Sequence, residues 1–133
     1  MLRGAGFVAR ISLSLACAAS PIASYEGTTR ADASLADKAA AQSLFDEGRK
    51  LMSAGKYAEA CPKLAESQKL DPGVGTQFHL SDCYEKLGQT ASAWAGFLEA
   101  ASSTKSMGQG DREKVARDRA AALAPRLSKL TIT

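Results

Sequence analysis

Residues 44–72 carry the stretch that decides the fold. They run Leu44-x3-Gly48-x2-Leu51-x3-Gly55-x-Tyr57-x2-Ala60-x3-Leu64 and close on Leu70-Asp71-Pro72. Leu44, Gly48, Leu51 and Met52 fall at helical spacing, with Ala41 and Phe45 widening the stripe. Gly55 ends this helix, and a second apolar stripe then begins. The pattern returns as Leu80-x3-Tyr84-x3-Gly88-x4-Ala93-x3-Phe97-x2-Ala100. Gly55 and Gly88 hold the same place in their copies, 33 positions apart. A helix pair of this size buries its apolar face only by stacking on a neighbour, and a stack leaves a groove able to hold another chain. The fold class expected is all-α.

At 133 residues the chain has room for one small domain. An alanine-rich, aliphatic composition with few aromatics and four prolines fits helices better than sheets. The formal charge is +3, yet Arg3 and Arg10 supply part of it, and 15 basic side chains then face 14 acidic ones. That balance gives no electrostatic reason to expect nucleic acid as a partner.

Residues 1–24 have the layout of a secretory signal. The start carries Arg3 and Arg10, Ile11 to Ala19 is a compact apolar run, and small residues follow, with Ala16-x-Ala18 or Ile22-x-Ser24 as cleavage ends. The alternative is a disordered N-terminal tail. A membrane span needs about 20 apolar residues, and Arg10 and Pro21 interrupt any such run. Cys17 raises a lipid anchor as a further alternative, but Leu15 stands one position too late for the lipoprotein motif.

Residues 25–33 are polar and aperiodic, as in a linker. Ser34, with Asp37 three positions on, offers a capping-box start for a helical domain over 34–125. Its units cover about 41–73 and 74–107, and a terminal helix covers about 111–124. In the second helix Ala60, Leu64 and Ser67 share one face, and Pro62 removes one hydrogen bond near the first turn. Leu80, Cys83, Tyr84 and Leu87 point inward from the third helix, and Thr90 caps the fourth, which buries Ala93, Trp94, Phe97 and Ala100. Asp111 caps the terminal helix, Val115, Ala116, Ala120 and Leu123 form its apolar face, and Pro125 ends it. Residues 126–133 alternate like a strand, which alone is no domain. They fit the start of a β domain or a strand added to another sheet edge.

Over about residues 41–107 the chain resembles the tetratricopeptide repeat family. Gly48, Gly55, Tyr57, Ala60 and Pro72 all fall in place in the first unit. In the second, Ser81 replaces the glycine, Thr90 replaces the tyrosine, and the intervening loop is one residue shorter. The whole also resembles short exported repeat proteins of bacterial envelopes in which such a module precedes a β domain. The resemblance implies a short helical solenoid whose groove is lined by the first helix of each unit. Carried over by position, the partner-binding residues are Gln42, Phe45, Arg49 and Met52, with Phe78, His79, Asp82 and Glu85. Phe45, Met52 and Phe78 can hold apolar side chains, and Arg49 can pair with a carboxylate. Helical spacing equally makes Phe45 and Phe78 simple packing residues. The family's carboxylate-clamp subset carries several basic and amide residues together, and this face has too few to match it.

Little in the sequence points to catalysis, a cofactor or a metal. His79 is the lone histidine, and Asp82 three positions on can reach it, but no nucleophile stands with them. Gly73-Val-Gly75 and Gly108-Gln-Gly110 follow no strand and carry no phosphate-binding lysine, so they are turns. Cys61 and Cys83 lie on neighbouring helices. In an oxidising compartment they can form a disulfide; otherwise they pack as two small apolar thiols. The expectation is therefore a non-enzymatic protein-interaction module, exported to the periplasm or cell envelope or secreted, whose partner is another protein or peptide. The alternatives are an accessory part of a larger envelope protein, and a lipid-anchored assembly factor.

Overall fold

The structure, a computed structural model, describes residues 30–127, with side-chain surroundings from residue 34 onward. Five helices follow one another: α1 Arg30–Ser53, α2 Tyr57–Leu70, α3 Val74–Lys86, α4 Thr90–Ser106 and α5 Gly110–Leu127. No strand occurs among the described residues. Each helix packs against the next in sequence, and α1 also touches α3. The expected signal segment and Cys17 lie outside the described residues, as do residues 128–133 of the strand-like tail.

One turn is used three times. At Gly55, Gly88 and Gly108 the backbone takes φ of +74°, +84° and +68°. In each case the glycine N–H bonds three residues back, to Met52, Glu85 or Lys105. The next residue's N–H bonds five back: Lys56 to Leu51 at 2.9 Å, Gln89 to Tyr84 at 2.8 Å, Gln109 to Thr104 at 2.9 Å. This pairing satisfies the last carbonyls of the ending helix. The same residue then starts the next helix, since the Lys56, Gln89 and Gln109 carbonyls accept from Ala60, Ala93 and Glu113. The left-handed backbone there suits glycine and penalises a Cβ.

These turns correct two expected caps. Gln89 precedes α4 and makes no side-chain cap bond, which leaves Thr90 as the first helical residue. Asp111 lies inside the first turn of α5, where its charge still suits the positive end of the helix. The helix boundaries shift similarly. α1 begins at Arg30, so Ser34 is an interior residue rather than a cap, and residues 30–33 are helical rather than linker. α5 continues through Pro125 to Leu127, which turns the first two residues of the expected strand into helix. A proline this close to a helix end costs few backbone bonds, and Arg126 beyond it reaches Glu85 at 3.9 Å.

Ala60, Leu64, Cys61, Leu80 and Cys83 form one buried cluster, and Ala93, Phe97, Ala120 and Leu123 another. Two expected core residues are instead exposed. Val115 is 53% and Leu87 37% accessible: Val115 flanks the buried Ala116–Ala120–Leu123 stripe of α5, and Leu87 stands just past the end of α3. Small residues let the helices of each pair approach closely. A Cβ on Gly48 would stand 2.7 Å from Leu64 Cγ. In the second unit Ser81 takes the place of Gly48, and the gap is conceded by the opposite helix. There a Cβ on Gly96 would strike Ser81 Oγ and come within 2.9 Å of Gln77 Nε2. The glycine has changed sides of the crossing, and the close approach remains.

Buried polar side chains bridge two helix contacts and bond within α3 at the second. Ser67 Oγ donates to the Ala41 carbonyl at 2.8 Å, Gln77 Nε2 donates to the Gly96 carbonyl at 3.3 Å, and Ser81 Oγ donates to the Gln77 carbonyl at 2.7 Å. No buried side-chain polar atom among the described residues lacks a partner, which removes a common cost of polar burial. Ala60 is 0% exposed at the α1–α2 contact, so Ala60→Leu should lower stability by about 1–3 kcal/mol through overpacking. Thr90→Ala removes no cap and should change it by less than about 0.5 kcal/mol. Urea midpoints compare the two, and equal losses would contradict this packing.

Candidate functional site

Seven of the eight residues expected to line a groove fall into three shallow hollows. Arg49 and Met52 of α1 meet His79 and Asp82 of α3 around a space of about 320 Å³, which Tyr57 and Lys86 also border. Gln42 and Phe45 face a smaller space of about 190 Å³ near Gly73 and Thr76. Phe78 and His79 border a third, of about 360 Å³, with Gly75 of α3 and Asp111, Arg112 and Val115 of α5. His79 therefore belongs to both larger hollows. Glu85 borders none of the three.

The aromatic residues serve packing as well as surface. Phe45 meets His79 edge-on, with ring centres 5.2 Å apart and planes at 69°. The Arg49 guanidinium carbon lies 5.7 Å from the centre of the Phe45 ring. Phe78 makes an edge contact with Phe97 at 6.1 Å. Such contacts orient rings and cost a ligand nothing to arrange.

Asp82 and Glu85 are engaged within the chain. Arg119 of α5 donates to Asp82 Oδ1 and Glu85 Oε2, both at 2.7 Å, and its guanidinium carbon lies 4.6 Å from the Phe97 ring centre. The Glu85 bond, more than the Asp82 bond, raises the Arg119 pKa above its ordinary value. These residues are part-exposed, so each pair contributes about 1 kcal/mol or less. The geometric effect is larger: α5 is pinned to α3, and Asp82 is turned to Arg119 in place of His79. No histidine–carboxylate ion pair forms among the described residues, and no group of three His, Cys, Asp or Glu is placed there to hold a metal.

Burial lowers the pKa of His79 from the usual 6.5, Arg49 lowers it further, and Asp82 opposes both. His79 is neutral in the folded chain at pH values where the unfolded chain already binds a proton. Its neutral form supports the fold fully above pH 6.5, and that contribution is lost as pH falls through 6.5 toward the lower folded value. Urea midpoints between pH 7.5 and 5 should therefore decline, and His79→Gln should flatten that decline. An unchanged slope in the variant would assign it to other groups.

Cys61 and Cys83 form a disulfide joining α2 to α3, with Cα atoms 5.7 Å apart. Both residues are buried in the first cluster. The Tyr57 carbonyl oxygen lies 3.6 Å from Cys83 Sγ, where it can accept from the thiol once the bridge is reduced.

Sequence reasoning missed Arg119, although it lies at helical spacing from Ala116 and Leu123 on the flank of the α5 stripe. It also missed Lys86 and Tyr57 as walls of the largest α1–α3 hollow; each stands next to a turn, where the stripe of its own helix gives no direction. Among the described residues no helix is long and apolar enough to cross a membrane. No protein-family model, curated protein or solved structure matches the chain.

Proposed function

We propose that this chain is a short tetratricopeptide-type solenoid serving as a non-enzymatic protein-interaction module of the bacterial cell envelope. The observation that carries the reading is a double recurrence 33 residues apart. The Gly55 turn returns at Gly88 and Gly48 has its counterpart in Ser81, each 33 positions on, and both small residues face a close crossing, Gly48 with Leu64 and Ser81 with Gly96. Units so related stack, and the first helices α1 and α3 share one side. That side holds Arg49, Met52, His79 and Asp82 around one hollow. The fifth helix ends the stack with a charged outer face, as terminal repeats require. Export agrees with a buried Cys61–Cys83 bridge, because such bonds persist in oxidising compartments.

A photo-crosslinking amino acid placed at exposed Gln42 on α1 tests this reading. Placed instead at exposed Glu59 on α2 or Leu98 on α4, it samples other surfaces. In a bacterium expressing the full chain, Gln42 should give a discrete crosslinked partner in the envelope fraction, and Glu59 and Leu98 should not. Equal crosslinking from all three positions, or none from Gln42, would contradict the assignment.

A further inference from the structure

Two cations on the α1–α3 side have no carboxylate partner among the described residues. Arg49 stacks on Phe45, and Lys86 borders the same hollow, but neither takes part in an ion pair there. The nearby carboxylates do not answer them. Asp82 is held by Arg119, and Glu85 by Arg119 and Arg126. The acidic residues of α3 are thus neutralised from α5, and the hollow keeps an uncompensated positive charge.

The adjoining hollow has a different character. Phe78, Gly75 and the exposed Val115 give it an apolar wall, Asp111 and Arg112 stand at its α5 rim, and it meets the first at His79. His79 adds no positive charge near neutral pH, because burial and Arg49 hold its pKa down. A charged seat therefore stands beside an apolar one. We infer that the partner is an extended peptide carrying an acidic side chain about two or three residues from a bulky apolar one. The acid enters between Arg49 and Lys86, and the apolar side chain lies on Phe78 and Val115. Arg49 presents a planar fork suited to a carboxylate, and Lys86 adds a point charge. Met52 supplies apolar surface for the methylene stem of a glutamate. This inference deepens the interaction-module reading and rests on it.

The test uses the full oxidised chain, labelled with 15N, and four capped decapeptides in a Gly/Ser frame. Their cores are Glu-Ala-Ala-Leu, Gln-Ala-Ala-Leu, Glu-Ala-Ala-Ser and Gln-Ala-Ala-Ser. The Glu/Leu peptide should bind best, with shifts centred on Arg49, Met52, His79 and Lys86. Replacing its Glu by Gln should weaken binding about three- to tenfold, within the range of charge-assisted contacts at a part-exposed site. The protein variants Arg49→Ala and Lys86→Ala should each shrink that Glu/Gln ratio, and 0.5 M salt should do the same. Unchanged melting temperatures in both variants confirm that the fold is intact.

Equal binding of the Glu and Gln peptides on this side, or a ratio untouched by either variant, overturns the charge assignment while leaving the interaction face standing. Equal binding of the Leu and Ser peptides overturns the apolar seat. Acetate or inorganic phosphate binding as tightly as the Glu/Leu peptide would reduce the site to a simple anion site. Failure of all four peptides to shift any α1 or α3 signal, while an unrelated binder found by selection does shift them, overturns this inference alone. If selected binders also leave those signals unmoved, the interaction-module reading falls with it.

Discussion

Phe97→Ala is expected to cost about 3–5 kcal/mol, the largest loss of any single truncation among the described residues. Phe97 is fully buried, and among the described residues it is the largest side chain in that state. It packs with Ala93, Ala120 and Leu123, meets Phe78 edge-on, and supports the guanidinium of Arg119 on its face. Truncation therefore leaves a cavity between α4 and α5 and removes the seat of the residue that pins α5 to α3. Phe97→Leu retains most of the volume and should cost less than half as much. Urea unfolding at neutral pH decides it. A loss under about 1.5 kcal/mol for Phe97→Ala would mean that α5 does not dock on this ring.

Breaking the Cys61–Cys83 bridge is expected to cost about 3 kcal/mol. The bond closes a loop of 22 residues, and its main effect is to restrict the unfolded chain. It also crosses the boundary between the first helix pair and the second, where the side-chain hydrogen-bond contact found between α2 and α3, Cys83 Sγ to the Tyr57 carbonyl, needs a free thiol. Reduction should leave no stranded polar group, because the Cys83 thiol can donate to the Tyr57 carbonyl. The reduced chain should therefore unfold at a lower urea concentration yet stay helical in water. Cys61→Ala with Cys83→Ala should behave like the reduced wild type. Identical midpoints with and without reductant would show that the thiols are free in solution.

Much of the helical layout is legible in the sequence, because it rests on local chemistry. Glycine just beyond an apolar stripe marks a left-handed turn, and Gly55 and Gly88 both adopt one. Ala60, Leu64, Ser67, Ala93, Phe97 and Ala100 are all buried, as their spacing requires. The misses lie where a decision is made by another part of the chain. Ser34 has the composition of a cap, yet α1 runs back to Arg30. Gly96 has no conformational signature of its own; it is small because Ser81, on the facing helix, is larger than glycine. Val115 fits the stripe of α5 in periodicity, but none of the described residues covers that edge of the helix.

The site was legible to a different degree. Position within a repeated unit brings Arg49, Met52, His79 and Asp82 around one hollow. It does not reveal that Asp82 and Glu85 are already held by Arg119, a residue 37 and 34 positions away respectively. Charge pairing over such separations depends on how α5 lies against α3, and helical periodicity carries no information about that. The correction changes the chemistry offered to a partner: what looked mixed in sign is positive where Arg49 and Lys86 stand.

Backbone amide shift mapping shows whether the side shared by α1 and α3 receives a partner chain. The oxidised chain is titrated with a peptide selected against it from a library of unbiased sequence. The perturbed amides should cluster at Gln42, Arg49, Met52, Phe78 and His79, while the exposed residues of α2 and α4 stay still. Perturbations centred on α2 and α4, with α1 and α3 unmoved, would contradict it.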